Sequence, residues 1–224
     1  MPGSSMFNSR TLLEGKWAFL VLAALAVAGI VVHQRVGGFW CLLGTGIAFA
    51  LLAFSISFYR DPDRPCPPDP KDIVAPADGH VVEIIQVDEP LFLKGPATRV
   101  AIFLSVFDVH TQRMPIAGEI KFVQYTAGKF LDVRDRRASA MNESRFLGIE
   151  DANGYRVGVR QIAGLIARRI VGWADKGAKL EKGERFGMIR FGSRVEIFLP
   201  PGTVVSVKIG DYAKGGETIL ARRP

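Results

Sequence analysis

The sequence predicts an α+β protein, with a mainly antiparallel β domain of barrel- or sandwich-like form behind an N-terminal hydrophobic helical hairpin. Three observations carry this expectation. Two long apolar runs fill the first 60 residues, and a Pro-rich stretch follows them. From Ile73 onward the pattern changes to short apolar runs punctuated by Gly, Pro and Asp, which are strand lengths with turn signals between them.

The first apolar run, Trp17 to Val32, carries no charge, and the second, Phe39 to Tyr59, is uncharged throughout. A bilayer core needs about 20 apolar residues, with a short limit of about 17. The second run meets this and the first lies at the limit. A cleaved signal peptide is the alternative for the first run alone. A second run after only His33-Gln34-Arg35-Val36-Gly37-Gly38 argues instead for a hairpin, either spanning or embedded from one side. Arg10 and Lys16 flank its start and Arg60 and Arg64 its end, against Arg35 and a mostly neutral His33 in the connector. The positive-inside rule then puts both ends in the cytoplasm. The expected organisation is a cytoplasmic tail over 1–16, the hairpin over 17–59, a linker over 60–72 and the main domain over 73–224. The expected location is the cell membrane, with the domain on its cytoplasmic side.

Segment 61–70 contains five prolines, so it is neither a regular helix nor a central strand and reads as a stiff spacer. Beyond it, Val81 to Ile85, Arg99 to Leu104, Lys121 to Tyr125 and Val204 to Ile209 read as strands. Residues 195–199 and 204–209 are expected to pair with strands upstream of residue 192. Gln161 to Val171 fits helix or strand. Lys129 to Arg145 reads as a loop or short helix. Its Arg134, Arg136, Arg137 and Arg145 form either a solvated face or a patch for anionic head groups.

The net charge of +7 points to an anionic partner, and the apolar runs favour an acidic lipid surface. No aromatic-basic motif of a nucleic-acid-binding module is present, so no nucleic-acid partner is expected. With Cys41 and Cys66 as the only cysteines and three histidines, neither a disulfide framework nor a metal site is expected.

Three motifs stand apart. Ala75-Pro76-Ala77-Asp78-Gly79-His80 reads on its own as a turn, since Asp-Gly is a strong turn signal. Phe107-Asp108-Val109-His110-Thr111-Gln112-Arg113-Met114-Pro115 ends a strand-like run, where a single histidine is more often a structural hydrogen-bonder. Gly192-Ser193 interrupts an apolar, strand-like run, where a bulge or a close backbone approach is the plain explanation.

Taken together, and with Gly128-Lys129-Phe130 and Glu184 to Val195, these motifs resemble the phosphatidylserine decarboxylase family, in particular its short (archaeal-type) branch. The resemblance runs from about Asp61 to Ala221. It implies a pyruvoyl enzyme made by self-cleavage. The Ser193 hydroxyl attacks the Gly192 carbonyl and replaces the amide by an ester. β-Elimination then releases the Gly192 carboxylate and leaves dehydroalanine at 193, and hydrolysis with loss of ammonia yields the pyruvoyl group. The implied products are chains 1–192 and 193–224, which stay together because 32 residues cannot build a core alone. The pyruvoyl ketone condenses with the amine of phosphatidylserine and takes up the electrons left by loss of carbon dioxide. The product is phosphatidylethanolamine, and no metal is involved. A homodimer is a further expectation from the resemblance.

The family's catalytic aspartate falls on Asp78, and the histidine assigned to decarboxylation falls on His110. The histidine of the self-cleavage triad would precede Met-Pro, but that position is Arg113. Arginine cannot act as a general base. Asp78 acting more directly, His110 serving both steps, or His80 substituting would each repair the gap. In an extended chain Asp78 and His80 share a face. Arg113 is then a candidate for the substrate's carboxylate or phosphate, and His80 is a second substrate-binding candidate. Two other readings compete: an ether-linked seryl lipid as substrate, and a non-catalytic adaptor. The adaptor reading rests on Gly-turn phrases near Lys179 to Glu184 and Gly210 to Glu217, which are similar to those of lipoyl-like domains.

Overall fold

The structure, a computed structural model, describes residues 5–135, 137–165, 169–190 and 193–224. The chain divides into two compact units, Met1–Asp63 and Arg64–Pro224.

The first unit is a helical hairpin of α1 (Ser9–Val36) and α2 (Phe39–Phe58). Helix α1 begins eight residues before Trp17, because Asn8 caps it by accepting the Arg10 N–H at 2.9 Å. Residues 9–16, expected as a tail, are therefore helical. The reversal falls on Gly37 and Gly38 at φ 68° and 97°, where a Cβ would be strained. At 28 and 20 residues and mean hydropathy 2.2 and 2.1, both helices are long and apolar enough to cross a membrane, and they suit membrane association.

The second unit is mostly β. Its strands begin with β1 (Asp72–Val74), β2 (Gly79–Glu89), β3 (Gly95–Leu104), β4 (Thr111–Arg113) and β5 (Gly118–Thr126). A short helix, α3 (Ala138–Met141), precedes β6 (Ser144–Glu150), β7 (Arg156–Ile162), β8 (Ile170–Gly172) and β9 (Lys179–Leu180). The chain ends with β10 (Arg185–Ile189), β11 (Ser193–Leu199), β12 (Val204–Val205), β13 (Tyr212–Ala213) and β14 (Ile219–Arg222). All pairings between these strands are antiparallel. An eight-stranded sheet runs β13-β2-β3-β11-β7-β6-β5-β9, flanked by three-stranded sheets β4-β10-β8 and β1-β14-β12. The α+β class is as expected, but among the described residues no barrel closes, since β13 and β9 are edges of the large sheet.

Strand β11 lies at the centre of the large sheet, between β3 and β7. On one face Val195, Ile197 and Leu199 are fully buried in the main core with Val100, Ile102, Leu147 and Val159. Each such side chain contributes about 1.5–3 kcal/mol by leaving water. On the other face Arg194 and Glu196 are also buried, and Phe198 packs with Phe92 and Phe146. Glu196 accepts from Arg194 Nε at 2.9 Å and from Ser139 Oγ at 2.6 Å, and Arg194 Nη2 donates to Glu83 at 3.1 Å. Arg99 also donates to Glu83, which joins β2, β3 and β11 by charge. Burial opposes ionisation of Glu83, yet Arg99 and Arg194 together bring its carboxyl below the ordinary value.

Several expectations change at this level. The pairing of 195–199 with upstream strands holds, but β12 pairs with β14, which in turn pairs with β1. Gln161 to Val171 belongs to the ends of β7 and β8, with 166–168 outside the described residues. In the segment 129–145, Asn142 ties the loop to the sheet by donating to the Leu131 and Ala163 carbonyls at 2.8 Å each. Arg145 is not part of any exposed patch. It lies buried in β6 and donates to the Ala174 carbonyl at 2.5 Å, and burial lowers its pKa. Arg134 and Arg137 are exposed but paired with Asp132 and Asp135, so their charge is balanced locally. Arg136 lies outside the described residues.

Candidate active site

Ser193 is the first residue of β11 and pairs with Leu104, the last residue of β3. Its position on the core side of the strand leaves it fully buried, and its Oγ makes no hydrogen bond among the described residues. A buried hydroxyl without a partner costs about 1–3 kcal/mol of desolvation. Such a group calls for a specific explanation, and a catalytic role is one. Gly192, the other half of the expected scission point, lies outside the described residues.

His110 reaches the same end of the sheet by a tight turn. After Leu104, the Asp108 N–H bonds back to the Ser105 carbonyl at 3.1 Å, and Asp108 Oδ2 accepts the Ser105 N–H at 2.7 Å. The His110 carbonyl then accepts from the Ile189 N–H at 3.3 Å, at the end of β10. His110 is therefore held between the strand that pairs with Ser193 and the strand that leads toward it. The ring is fully buried, with Nδ1 2.9 Å from the Asp108 carbonyl. A carbonyl only accepts, so Nδ1 carries a proton. Behind it Gln112 donates to the His110 carbonyl, and Gln161 donates to Gln112, each at 2.8 Å.

Asp78 sits at the start of β2, 3% exposed. Its Oδ1 and Oδ2 accept from Arg64 Nη1 and Nη2 at 2.5 and 2.7 Å, and Oδ1 also accepts the Gly215 N–H at 2.8 Å. Register places His80 opposite Phe103 and Phe103 opposite Arg194. Asp78 and Ser193 thus share one end of three adjacent strands, two strand spacings or roughly 10 Å apart.

Gly79 breaks the alternation that was expected to put Asp78 and His80 on one face. Its φ is 135°, and a Cβ there would sit 2.0 Å from the Phe103 carbonyl oxygen. Asp78 consequently turns inward, whereas His80 is exposed and lies edge-on to Tyr212 at 5.2 Å. Tyr212 in turn donates to Asp108 Oδ1 at 2.8 Å. Burial and this bond push its phenol well above the usual range. Arg113 ends β4, buried, with Nη1 donating to the Gly183 carbonyl at 3.2 Å and its N–H to the Pro76 carbonyl at 2.9 Å. It belongs to the Asp78 corner, not to the Ser193 end.

Sequence reasoning passed over Arg64, Tyr212 and the two glutamines. Asp108 lay in a quoted motif without a role. Arg64 was counted only as a charge flanking the hairpin, and its one signal was a position at the head of the Pro-rich segment.

A buried serine opens a central strand, a buried histidine follows the strand that pairs with it, and a clamped aspartate lies at the same sheet end. The chain belongs to the phosphatidylserine decarboxylase family, whose model matches residues 51–221. It is 44% identical to a phosphatidylserine decarboxylase proenzyme of Symbiobacterium thermophilum over 209 residues, covering 93% of this chain and 94% of the relative. A proenzyme of the same name from Carboxydothermus hydrogenoformans is 44% identical over 211 residues, 93% and 94% of the two chains. One from Citrifermentans bemidjiense is 48% identical over 176 residues, 79% and 80%.

Proposed function

We propose that this chain is a proenzyme that cleaves itself between Gly192 and Ser193 and then decarboxylates phosphatidylserine to phosphatidylethanolamine. The single observation that supports the scission point is the Ser193 hydroxyl, fully buried and without a hydrogen-bond partner among the described residues. Family membership and the proenzyme relatives supply the reaction.

In this reading Ser193 is the nucleophile and the precursor of the pyruvoyl group. That group supplies the electron sink for loss of carbon dioxide from an amino acid head group. The residues fit it. Backbone pairing of β11 to β3 and β7 holds residue 193 in place after its peptide bond to 192 is gone, and the Arg194-Glu196-Glu83 bonds anchor the next residues. His110 takes the Ser193 proton through Nε2, and the Asp108 carbonyl on Nδ1 fixes the tautomer that allows it. This assigns His110 to self-cleavage as well as to decarboxylation, and it answers the arginine at position 113. Asp78 takes part in self-cleavage from the other wall of the site. His80, exposed beside Tyr212, is the candidate contact for the substrate's anionic groups.

The substrate lies in the membrane that the hairpin binds. The cytoplasmic side is supported by Arg10, Lys16 and Arg60 outside the connector. Arg64 drops out of that count because its charge is paired with Asp78. The two cleavage products remain one folded unit, and a homodimer and contact with an anionic lipid surface belong to the same reading.

The test is decarboxylation of vesicle-borne phosphatidylserine by purified full chain, followed as released carbon dioxide. Wild-type protein is expected to be active and Ser193→Ala inactive. Activity in Ser193→Ala would contradict the assignment.

A further inference from the structure

The segment read as a spacer brings one residue, Arg64, to the Asp78 corner. Arg64 meets both oxygens of Asp78 with its two terminal nitrogens, at 2.5 and 2.7 Å, in the fork geometry that is specific to arginine. Its Nη1 also donates to the Gly215 carbonyl at 2.9 Å, while the Gly215 N–H returns to Asp78 Oδ1 at 2.8 Å. The two side chains are only 9% and 5% exposed. A solvated spacer would leave its arginine in water, where a surface pair contributes about 0–1 kcal/mol. Here the guanidinium has been desolvated to meet one carboxylate. Burial opposes its charge, and the Asp78 bond more than offsets that, so the Arg64 pKa rises.

The knot joins three segments far apart in sequence. Residues 64 and 78 would end in the larger cleavage product, and Gly215 in the smaller one. Other charged or titratable groups face the corner from each packed element. Tyr212 approaches on β13, Glu217 acts on Arg64 from the turn after Gly216, and Arg113 packs against Gly216. Arg64 is the group that fixes the carboxylate's direction, because among the described residues only its fork engages both oxygens.

We propose that Arg64 is a positioning residue for self-cleavage, holding the Asp78 carboxylate in the orientation the reaction uses, so that the linker is part of the processing apparatus. This rests on the reading that Asp78 takes part in self-cleavage. Losing the fork leaves the carboxylate free to rotate, and a misplacement of about 1 Å is enough to cost roughly 100-fold in rate.

The experiment follows freshly synthesised full chain by intact mass as it processes, beside a thermal melt of each variant. Arg64→Gln is expected to slow cleavage by roughly 10- to 100-fold. Arg64→Lys keeps the charge without the fork, and is expected to melt nearer to wild type without restoring the rate. Asp78→Asn is expected to stay uncut. Arg64→Gln cleaving at the wild-type rate, beside an uncut Asp78→Asn, would overturn the proposal alone. An Asp78→Asn chain that cleaves normally would remove the reading beneath it. If Arg64→Gln does not fold, Arg64→Lys decides: a folded lysine variant at the wild-type rate overturns the proposal.

Discussion

Ser193 and Asp78 stand at the same end of three neighbouring strands and are equally buried, yet they are treated in opposite ways. Every oxygen of Asp78 is engaged, by a guanidinium and a backbone N–H, and its neighbours are drawn from both sides of the sequence. Ser193 is held only through its backbone, and its hydroxyl has no partner among the described residues. A fully satisfied buried charge contributes order, whereas an unsatisfied buried hydroxyl contributes reactivity at a cost in stability. On the proposed reading, one corner holds a carboxylate in the orientation the reaction uses and the other carries the hydroxyl that reacts.

That contrast is open to attack by substitution. Ser193→Ala is expected to abolish self-cleavage and decarboxylation altogether. Its stability should stay within about 1 kcal/mol of wild type, or rise, because an unpartnered polar atom is removed. A thermal melt beside the mass spectrum checks both halves. His110→Ala is expected to lower the cleavage rate by about 100- to 10,000-fold, the range of a general base. Processed enzyme made by slow maturation would then show whether carbon dioxide release falls as well.

Asp78→Ala should behave unlike Ser193→Ala by losing stability as well as cleavage. It strands Arg64 in a desolvated site, a change that costs about 3–5 kcal/mol and is read from denaturant unfolding of the full chain. An Asp78→Ala chain as stable as wild type would erase the contrast. Tyr212→Phe removes one donor from Asp108 and is expected to cost about 1 kcal/mol, with self-cleavage retained. The smallest effect is in pH. Glu83 holds the outer face of β11 through Arg194, and its folded carboxyl lies below the ordinary value of 4.5. Its contribution is complete above that value and is lost as pH falls through the lower, folded-state value. A Glu83→Gln melt should therefore show less acid sensitivity than wild type.

Much of this site could be read as motifs and little of it as geometry. Asp78, His110 and Ser193 each announced themselves by an unusual neighbour: glycine after aspartate, Met-Pro after the histidine segment, glycine before serine. The strand over 195–199 was equally plain as an apolar run. Arg64 could not be found this way, because its partner lies fourteen residues on and a run of prolines looks like a spacer whether or not it folds back. His80 was misplaced because period-two reasoning assumes ordinary backbone, and Gly79 departs from it. Arg145 was misread for a related reason: a basic stretch looks solvated until a strand begins within it and buries one of its members. Local pattern reports what a segment can be, and long-range pairing decides which charges are hidden.

The central claim is that the chain cuts itself at its buried, unpartnered serine. Intact mass spectrometry of the purified full-length protein tests it most directly. The account requires two chains, residues 1–192 and 193–224, the smaller with a blocked N-terminus and converted to a single full-length mass by Ser193→Ala. A single uncut mass from active wild-type protein would contradict it.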